Sequence, residues 1–358
     1  MIPAPFQIAS QLVRDLTAIA TGAVADASGA AAVRPPPALV PTPRDVIARE
    51  GTAALYRFAP PAGVTRRGRP VLLVPSLINQ WYVLDLRRGA SLVAALVEAG
   101  LDVFCLDWGA PEDEDRHRTW DDVLGRLDRM VRRTLRTAGA TQLGLVGYCM
   151  GGTLAAIYGA LHPTRVAALV DLAGPIDFAK GGMLRTMVDR RWFDADAIAD
   201  AGNVSPEQMQ SGFTALRPTL ELAKAVGAPE LMLDRSAHDA LRALDAWASD
   251  NIAFPAAAYR TYIGELYQDN RLVAGTHRAL GRVVSLAAIT CPTAVIVADK
   301  DTICPPAAAT ALLDHVATRD TTVLRVPGGH VGAVVGSRAA RELYPALATW
   351  LEARLAVA

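Results

Sequence analysis

The centre of the chain carries the stretch Gly147-Tyr148-Cys149-Met150-Gly151-Gly152, in which glycines flank a cysteine at positions −2 and +2. An apolar run at 142–147 precedes it and predicts a short buried strand, and small apolar residues at 153–161 predict a helix. Strand, sharp turn and helix are the context of a nucleophile elbow. A helix N-terminus also favours a thiolate. A small core residue in an ordinary glycine-rich turn would give the same short pattern, so the rest of the chain has to decide.

Length and composition predict a soluble, globular, enzyme-like protein with a sizeable core. The chain has 358 residues, of which 51% are hydrophobic and 20% charged, enough for one large α/β domain with an insertion or for two domains. Lys and Arg together number 36, as do Asp and Glu, so the net charge is zero. This balance argues against nucleic acid or an anionic membrane as the main partner.

Cysteine spacing and the N-terminal sequence indicate the cellular compartment in which the protein acts. The four cysteines (Cys105, Cys149, Cys291 and Cys304) show no paired metal-ligand spacing, so no metal site is predicted. Their low number fits a reducing cytoplasm, in which a catalytic thiol survives. The first thirty residues lack the basic start and apolar core of a signal peptide, and no uncharged apolar stretch approaches the length of a transmembrane segment. We therefore expect a cytoplasmic protein.

From residue 69 onward, short apolar runs alternate with helical patterns. Strands are predicted at 71–75, 101–107, 142–147, 166–172, 293–298 and 322–326. Helices are predicted at 91–99, 119–137, 153–161 and 307–316 and around Trp350, with Thr119 and Asp122 forming a capping box. Alternating strands and helices predict a mostly parallel, doubly wound α/β sheet with right-handed crossovers.

Two segments depart from this alternation. Residues 1–45 are interpreted as an N-terminal helix, with Ile8, Leu12, Leu16 and Ile19 at near-helical spacing, followed by a proline-rich linker. Residues 46–358 then form the catalytic domain. Within it, about 175–285 is a mainly helical insertion before the last strands, which is the position of a cap over the carboxyl ends of the strands, where ligands bind.

Two further motifs follow the last predicted strands. With Cys149, Asp301 and His330 reproduce the nucleophile–acid–histidine order of an α/β-hydrolase triad. His330 would take the thiol proton, and Asp301 would orient the imidazole. Asp299 competes for the acid role. The other five histidines (His117, His162, His238, His277 and His315) lack this context and are predicted to be solvated or at helix ends.

An oxyanion hole needs two backbone donors. The N–H of Met150, directly after the cysteine, is the first candidate. The second would come from the loop after the first strand, through Ile78 or Leu77. A plain turn at the end of a strand is the alternative interpretation of that loop.

From about residue 70 to residue 351, the chain resembles the polyhydroxyalkanoate synthases, particularly the short catalytic subunits of the two-component type. The first shared segments are Pro75-Ser76-Leu77-Ile78-Asn79-Gln80-Trp81-Tyr82-Val83-Leu84-Asp85-Leu86, Asp107-Trp108-Gly109 and Thr119-Trp120-Asp121-Asp122. The cysteine stretch is similar to the synthase box. Further shared segments are Tyr259-Arg260, Leu266-Tyr267, Asn270-Arg271-Leu272, Asp301 with Pro305-Pro306, and Gly328-Gly329-His330-Val331-Gly332.

The resemblance implies an α/β-hydrolase fold and an acyltransferase that polymerises (R)-3-hydroxyacyl-CoA with release of CoA. Cys149 would carry the acyl group as a thioester, with His330 and Asp301 as its partners. No cofactor is implied, because the CoA thioester is the substrate. The implied partners are further copies of the chain, a non-catalytic synthase subunit and the surface of a polymer granule in the cytoplasm.

Two positions differ from the family pattern. Thr302 stands where the family usually has histidine after the acid, and Ser76 replaces a common proline. A divergent paralogue with altered activity therefore stays an alternative, either as a cysteine-dependent ester or thioester hydrolase or as a catalytically weak granule-associated protein.

Overall fold

An eight-stranded sheet organises the protein, whose computed structural model describes residues 23–25, 31–33, 38–215 and 235–357. In chain order the strands of that sheet are β3 (Arg44–Glu50), β4 (Ala53–Phe58), β5 (Arg67–Val74), β8 (Leu101–Asp107), β9 (Leu143–Tyr148), β10 (Val166–Leu172), β13 (Thr293–Ala298) and β14 (Thr321–Val326). The remaining, shorter strands are β1 (Ala23–Ala25), β2 (Ala31–Val33), β6 (Asp85–Arg87), β7 (Ala90–Ser91), β11 (Arg278–Ala279) and β12 (Arg282–Val283).

The spatial order of the large sheet is β14-β13-β10-β9-β5-β8-β4-β3. Strands β14 to β8 are parallel, whereas β4 and β3 continue the sheet antiparallel. Five of the six predicted strands run through its centre with near-continuous burial, as expected of strands covered on both faces. The mostly parallel, doubly wound sheet predicted from the sequence is confirmed.

Helices cover both faces of the sheet. They are α1 (Leu92–Glu98), α2 (Trp120–Ala138), α3 (Met150–Leu161), α4 (Gly182–Met187), α5 (Ala195–Asp200), α6 (Pro206–Ala215), α7 (Arg235–Ser249), α8 (Ala256–Arg260), α9 (Pro306–Thr310), α10 (Leu312–His315), α11 (Gly332–Val335) and α12 (Tyr344–Leu355). Two π-helical segments occupy Thr261–Gln268 and Ala339–Leu343. Helix α12 packs beside α1, and α2 beside α3.

Local signals explain where these elements begin and end. The Thr119 hydroxyl accepts a hydrogen bond from the Asp122 N–H, while the Asp122 carboxylate accepts one from the Thr119 N–H, so the predicted capping box starts α2. The same helix ends at Gly139, whose φ of 65° is the left-handed conformation of a glycine C-cap.

Strands β8, β10 and β13 begin and end at the residues predicted from the sequence. Two strands of the large sheet, β3 and β4, were not predicted, because they mix charged with apolar residues. Strand β3 forms an edge of the sheet, where exposed charged side chains are tolerated. The single helix predicted at 307–316 is wrong in detail, since the chain forms α9 and α10 with a break at Ala311.

The interval between β10 and β13 contains α4 to α8, the first π-helical segment and the small β11–β12 hairpin. It departs from the strand–helix alternation as the sequence pattern predicted. Its description as a cap over the carboxyl ends of the strands, at about 175–285, stays a prediction.

The chain divides into two units, one of residues 1–38 and 217–243 and the other of residues 39–216 and 244–358. In the first unit, β1 and β2 pair antiparallel, with Ala23 opposite Val33. The N-terminal helix predicted for this region is wrong for these six residues, because their backbone groups are paired between two strands. The apolar stripe from Ile8 to Ile19 lies outside the described residues.

Candidate active site

Cys149 occupies a strained turn between β9 and α3. Its backbone has φ 56° and ψ −129°, a left-handed conformation that non-glycine residues rarely adopt. The Cys149 N–H donates to the Leu172 carbonyl at 2.9 Å, which ties the turn to the neighbouring strand β10. The side chain is partly exposed at the N-terminal end of α3. This is the strand–turn–helix geometry of a nucleophile elbow.

The glycines around Cys149 are required by close backbone approaches. A Cβ atom on Gly147 would lie 2.2 Å from the Gly151 carbonyl oxygen, and one on Gly151 would lie 2.0 Å from the Val74 carbonyl oxygen. Either contact is far inside van der Waals distance. The glycines at −2 and +2 therefore have a steric reason that applies to this turn.

Asp301 and His330 come together beyond the ends of β13 and β14. Asp301 Oδ2 lies 2.7 Å from His330 Nδ1, and both side chains are buried. Asp301 Oδ1 accepts hydrogen bonds from the N–H groups of Ile303 and Cys304, each at 2.9 Å. The competing Asp299 is exposed and pairs with Arg325 at 3.4 Å instead. Of the two candidate acids, the structure joins Asp301 to the histidine.

The His330 ring also contacts Tyr148, the residue directly before the elbow cysteine. The ring of Tyr148 stacks on the imidazole, with centroids 5.4 Å apart and planes inclined by 28°. Nε2 has no hydrogen-bond partner in the described part of the chain. Burial lowers the pKa of His330, but the charge of Cys149 and the hydrogen bond to Asp301 outweigh it and raise the pKa to about 10. The site thus favours the protonated form of the His330 imidazole.

The other three thiols lie in environments that oppose ionisation. Burial raises the pKa values of Cys105 and Cys304 well above the usual range, and it raises that of Cys291 to about 11. For Cys304, the nearby carboxyl groups of Asp171 and Asp301 add to this effect.

The two predicted oxyanion donors belong to the start of α3 and to the loop after β5. Met150 begins α3, where a backbone N–H has no intrahelical acceptor. Ile78 lies in the turn after β5, and its N–H, like that of Leu77, donates to no backbone group among the described residues. The first turn of α3 packs closely on this loop, because Gly151 meets the carbonyl groups of Val74 and Pro75.

A cluster of aromatic side chains comes from the helical insertion. The buried rings of Tyr262 and Tyr267 pack edge to face at 5.4 Å, and Phe178 packs against both. Burial raises the pKa of Tyr267 well above its usual range, and the charges of Cys304 and Cys149 contribute. Tyr262 and Tyr267 therefore lie close enough to Cys149 to feel its charge.

Asp171, which was not predicted from the sequence, belongs to the same neighbourhood. Its carboxyl is fully buried at the end of β10 and lies close enough to Cys149 to feel its charge. The available signal was one acidic residue in the otherwise apolar run at 166–172.

One of the remaining histidines also differs from expectation. His277 is fully buried, with Nδ1 3.1 Å from Glu265, so the prediction of a solvated position is wrong for this residue. Among the residues that the structure describes, no three His, Cys, Asp or Glu side chains form a group that could hold a metal ion. The described helices also include none that is long and apolar enough to span a membrane.

Sequence comparisons identify two matching families. Residues 69–337 match the alpha/beta hydrolase fold family, and residues 7–96 match the N-terminal region of poly-beta-hydroxybutyrate polymerase (PhaC). The chain is 32% identical to the poly(3-hydroxyalkanoate) polymerase subunit PhaC of Thiocystis violacea, covering 87% of this chain and 89% of the relative. It is 33% identical to the subunit of that name in Synechocystis sp., with 87% and 85% covered.

A solved structure supports the fold independently. A soluble variant of the monoglyceride lipase of Saccharomyces cerevisiae superposes with a TM-score of 0.54 at 13% sequence identity, covering 90% of this chain and 97% of the lipase. At that identity, the likeness concerns the fold alone.

Proposed function

The chain belongs to the poly(3-hydroxyalkanoate) polymerase family of acyltransferases with the α/β-hydrolase fold, and on that premise we propose that it polymerises (R)-3-hydroxyacyl-CoA through a Cys149–His330–Asp301 triad. The observation that carries the proposal is the buried 2.7 Å pair of Asp301 and His330, whose imidazole interacts with the cysteine of a strained elbow. This combination supplies a nucleophile, a base and a group that orients the base.

Acylation begins from the thiolate–imidazolium pair. The Cys149 sulfur attacks the thioester carbonyl, the carbon–sulfur bond to CoA breaks, and His330 gives its proton to the departing CoA thiolate. One thioester replaces another, so the acyl group stays activated. Asp301 keeps the proton on Nδ1 and stabilises the imidazolium.

Elongation uses the same imidazole a second time. Neutral His330 takes the proton from the 3-hydroxyl group of the acceptor, whose oxygen attacks the Cys149 thioester. The ester bond forms as the carbon–sulfur bond to Cys149 breaks, and the thiolate–imidazolium pair is restored. Each cycle consumes one hydroxyacyl-CoA, releases one CoA and adds one ester unit, with no cofactor.

During both steps, negative charge develops on the carbonyl oxygen. We propose that the N–H groups of Met150 and Ile78 stabilise it. In support, Met150 N–H lies at the start of α3, and the loop bearing Ile78 packs against that first turn.

Water competes with the acceptor hydroxyl group and would end the chain by hydrolysis. The packed rings of Tyr262, Tyr267 and Phe178 support a site that excludes it. We propose that the insertion at about 175–285 acts as the cap that contributes this cover.

The family assignment also motivates proposals beyond the catalytic centre. We propose that the protein acts in the cytoplasm at the surface of polymer granules, as a homo-oligomer together with a non-catalytic synthase subunit. The apolar stripe of the N-terminal segment, Ile8, Leu12, Leu16 and Ile19, is a candidate for contact with the partner or the granule.

The proposal is tested with (R)-3-hydroxybutyryl-CoA by measuring CoA release and sizing the product. We expect high-molecular-mass polyester and one CoA per added unit. Cys149→Ala should abolish CoA release, whereas the matched controls Cys105→Ala and Cys291→Ala should retain most of it. CoA release with only free hydroxy acid as product would identify a hydrolase, and equal losses in all three variants would remove Cys149 as the nucleophile.

A further inference from the structure

The turn that follows β10 contains a residue with positive φ, as does the elbow beside it. Ala173 has φ 53°, a left-handed conformation, and the adjacent elbow residue Cys149 has φ 56°. The two turns are joined by the hydrogen bond from the Cys149 N–H to the Leu172 carbonyl. A rearrangement of the second turn would therefore move the backbone of the cysteine.

Asp171 is the side chain that holds this second turn. Its Oδ1 accepts a hydrogen bond from the Gly174 N–H at 2.8 Å, which closes the turn around Ala173. Its Oδ2 has no partner among the described residues, although the whole side chain is buried. The hydroxyl of Thr153 adds a second tie, donating to the Pro175 carbonyl at 2.7 Å.

The carboxyl group of Asp171 also packs between two backbone segments, at Gly152 and Gly174. A Cβ atom on Gly152, in the first turn of α3, would lie 2.0 Å from Oδ1, and one on Gly174 would lie 2.3 Å from it. The same Cβ on Gly174 would lie 2.8 Å from the Cys149 carbonyl oxygen. Strand β10, the following turn and the start of α3 thus meet at this carboxyl group.

The environment of Asp171 disfavours a negative charge. Asp301 has two backbone N–H groups and an imidazole as partners, whereas Asp171 has one N–H and no cation. The titratable groups facing it are the thiols of Cys149 on the elbow and Cys304 after β13. Burial raises the pKa of Asp171 well above its usual range, and the charge of Cys149 raises it further.

We propose that Asp171 is a positioning residue for the nucleophile, whose buried carboxyl group locks the turn at 171–174 against the elbow. It touches no reacting atom and acts through the backbone of Cys149. The inference rests on the proposed function in one respect, namely that Cys149 is the nucleophile.

Replacing Asp171 by Asn or by Ala separates the effect of its hydrogen bond to Gly174 from the effect of its charge. Asp171→Asn keeps the acceptor for the Gly174 N–H and is neutral, whereas Asp171→Ala removes the acceptor. Asp85→Ala is the matched control, because Asp85 is also fully buried and hydrogen-bonded but lies at Thr42 and Ser91. The readout is the rate at which iodoacetamide alkylates Cys149 at neutral pH, followed by peptide mass, which requires no substrate.

We expect Asp171→Asn to react within about twofold of the native rate and Asp171→Ala to react about tenfold more slowly, a smaller loss than the roughly hundredfold that a 1 Å misplacement of a reacting group can cause. Folded Asp85→Ala should react at the native rate. An Asn variant as slow as the Ala variant would overturn the role of the hydrogen bond to the Gly174 N–H, and a folded Ala variant with native reactivity would overturn positioning. Native Cys149 reacting no faster than Cys291 would instead refute the proposed nucleophile.

Thermal unfolding decides the matter if Asp171→Ala does not fold. A carboxyl whose pKa is raised in the folded state stabilises the fold below its unfolded pKa, and this contribution is lost as the pH rises toward the folded value. The Tm of Asp171→Asn minus that of the native protein should therefore increase as the pH rises above about 4. A difference that stays constant above that pH would overturn the proposal.

Discussion

The imidazole of His330 lies against the ring of Tyr148, the residue directly before Cys149 in the chain. The strand that delivers the proposed nucleophile therefore also supports the proposed base. Two groups that arrive from distant parts of the sequence are aligned by one residue of the central strand β9.

This contact predicts a distinction between two variants of Tyr148. Tyr148→Phe retains the stacked ring, so we expect kcat within about twofold of the native value, whereas Tyr148→Ala should lower kcat by about tenfold because the imidazole loses its support. CoA release at saturating substrate measures the effect. Equal activity of the Phe and Ala variants would show that the stacking does not orient His330.

The double use of His330 predicts which steps its variants lose. His330→Gln should lose both acylation and elongation, because one imidazole serves both proton transfers. Asp301→Asn should impair elongation more than acylation, since an alcohol ionises far less readily than a thiol. A rapid-quench assay with one equivalent of substrate measures acylation, and steady-state CoA release measures elongation.

Asp299→Asn is the matched control for the acid, because this exposed residue pairs with Arg325. We expect near-native rates for both steps. A damaging Asp299→Asn variant together with a mild Asp301→Asn variant would reverse the assignment of the acid.

The raised pKa of His330 predicts that its imidazole keeps a proton at neutral pH. Burial lowers this pKa, but the charge of Cys149 and the hydrogen bond to Asp301 outweigh that effect and raise it to about 10. The NMR signals of the His330 ring should therefore show no titration between about pH 6.5 and 8.5, the interval in which an ordinary histidine is already largely neutral. In Cys149→Ala the pKa of His330 should fall, because one cause of the increase is removed. A native ring that loses its proton within that interval would contradict the prediction.

The close approach at Gly151 predicts a large loss of stability. In Gly151→Ala, the new Cβ would lie 2.0 Å from the Val74 carbonyl oxygen, and backbone cannot yield as a flexible side chain can. We expect the free energy of unfolding to fall by more than about 3 kcal/mol, as for other substitutions that overpack a core.

Gly159, further along the same helix, provides the control. A Cβ there would meet side-chain atoms of Leu169 and Ile289 at 3.7 and 3.8 Å, which are ordinary contacts. Gly159→Ala should stabilise the protein by about 0.5–1 kcal/mol through helix propensity. Denaturant unfolding compares the two, and equal effects would show that Gly151 is not sterically required.

The N-terminal stripe predicts dependence on a partner. A short isolated helix is marginal in water, so the apolar residues Ile8, Leu12, Leu16 and Ile19 need the core, a partner or a granule to cover them. We expect the purified chain to show low activity and a kinetic lag that the partner subunit relieves. Deletion of residues 1–32 should leave Cys149 reactive but weaken association with partner or granule in sedimentation assays. Full, lag-free polymerisation by the truncated chain alone would refute this dependence.

The sequence predicted the central parallel strands well, because strands buried on both faces are continuous apolar runs between glycine-rich turns. It also predicted the pairing of Asp301 with His330, since both follow strands that end at the same edge of the sheet. The edge strand β3 was not predicted. Its exposed position allows charged side chains, so its sequence shows no continuous apolar pattern.

Other features depend on contacts that no local pattern records. The stacking of Tyr148 on His330 joins residues 182 positions apart. The role that we infer for Asp171 depends on two backbones, at Gly152 and Gly174, that meet its carboxyl group only in the folded chain. The break between α9 and α10 likewise falls within a segment whose composition favours one helix.

The carboxylate of Asp301 is oriented by main-chain N–H groups of Ile303 and Cys304. Every residue except proline carries such a donor, so the direction of the Asp301 carboxylate does not depend on the side chains at 303 and 304. Thr302, at a position where the family resemblance implied histidine, leaves both hydrogen bonds in place. Substitutions in this loop can therefore change its surface without turning the proposed acid away from His330.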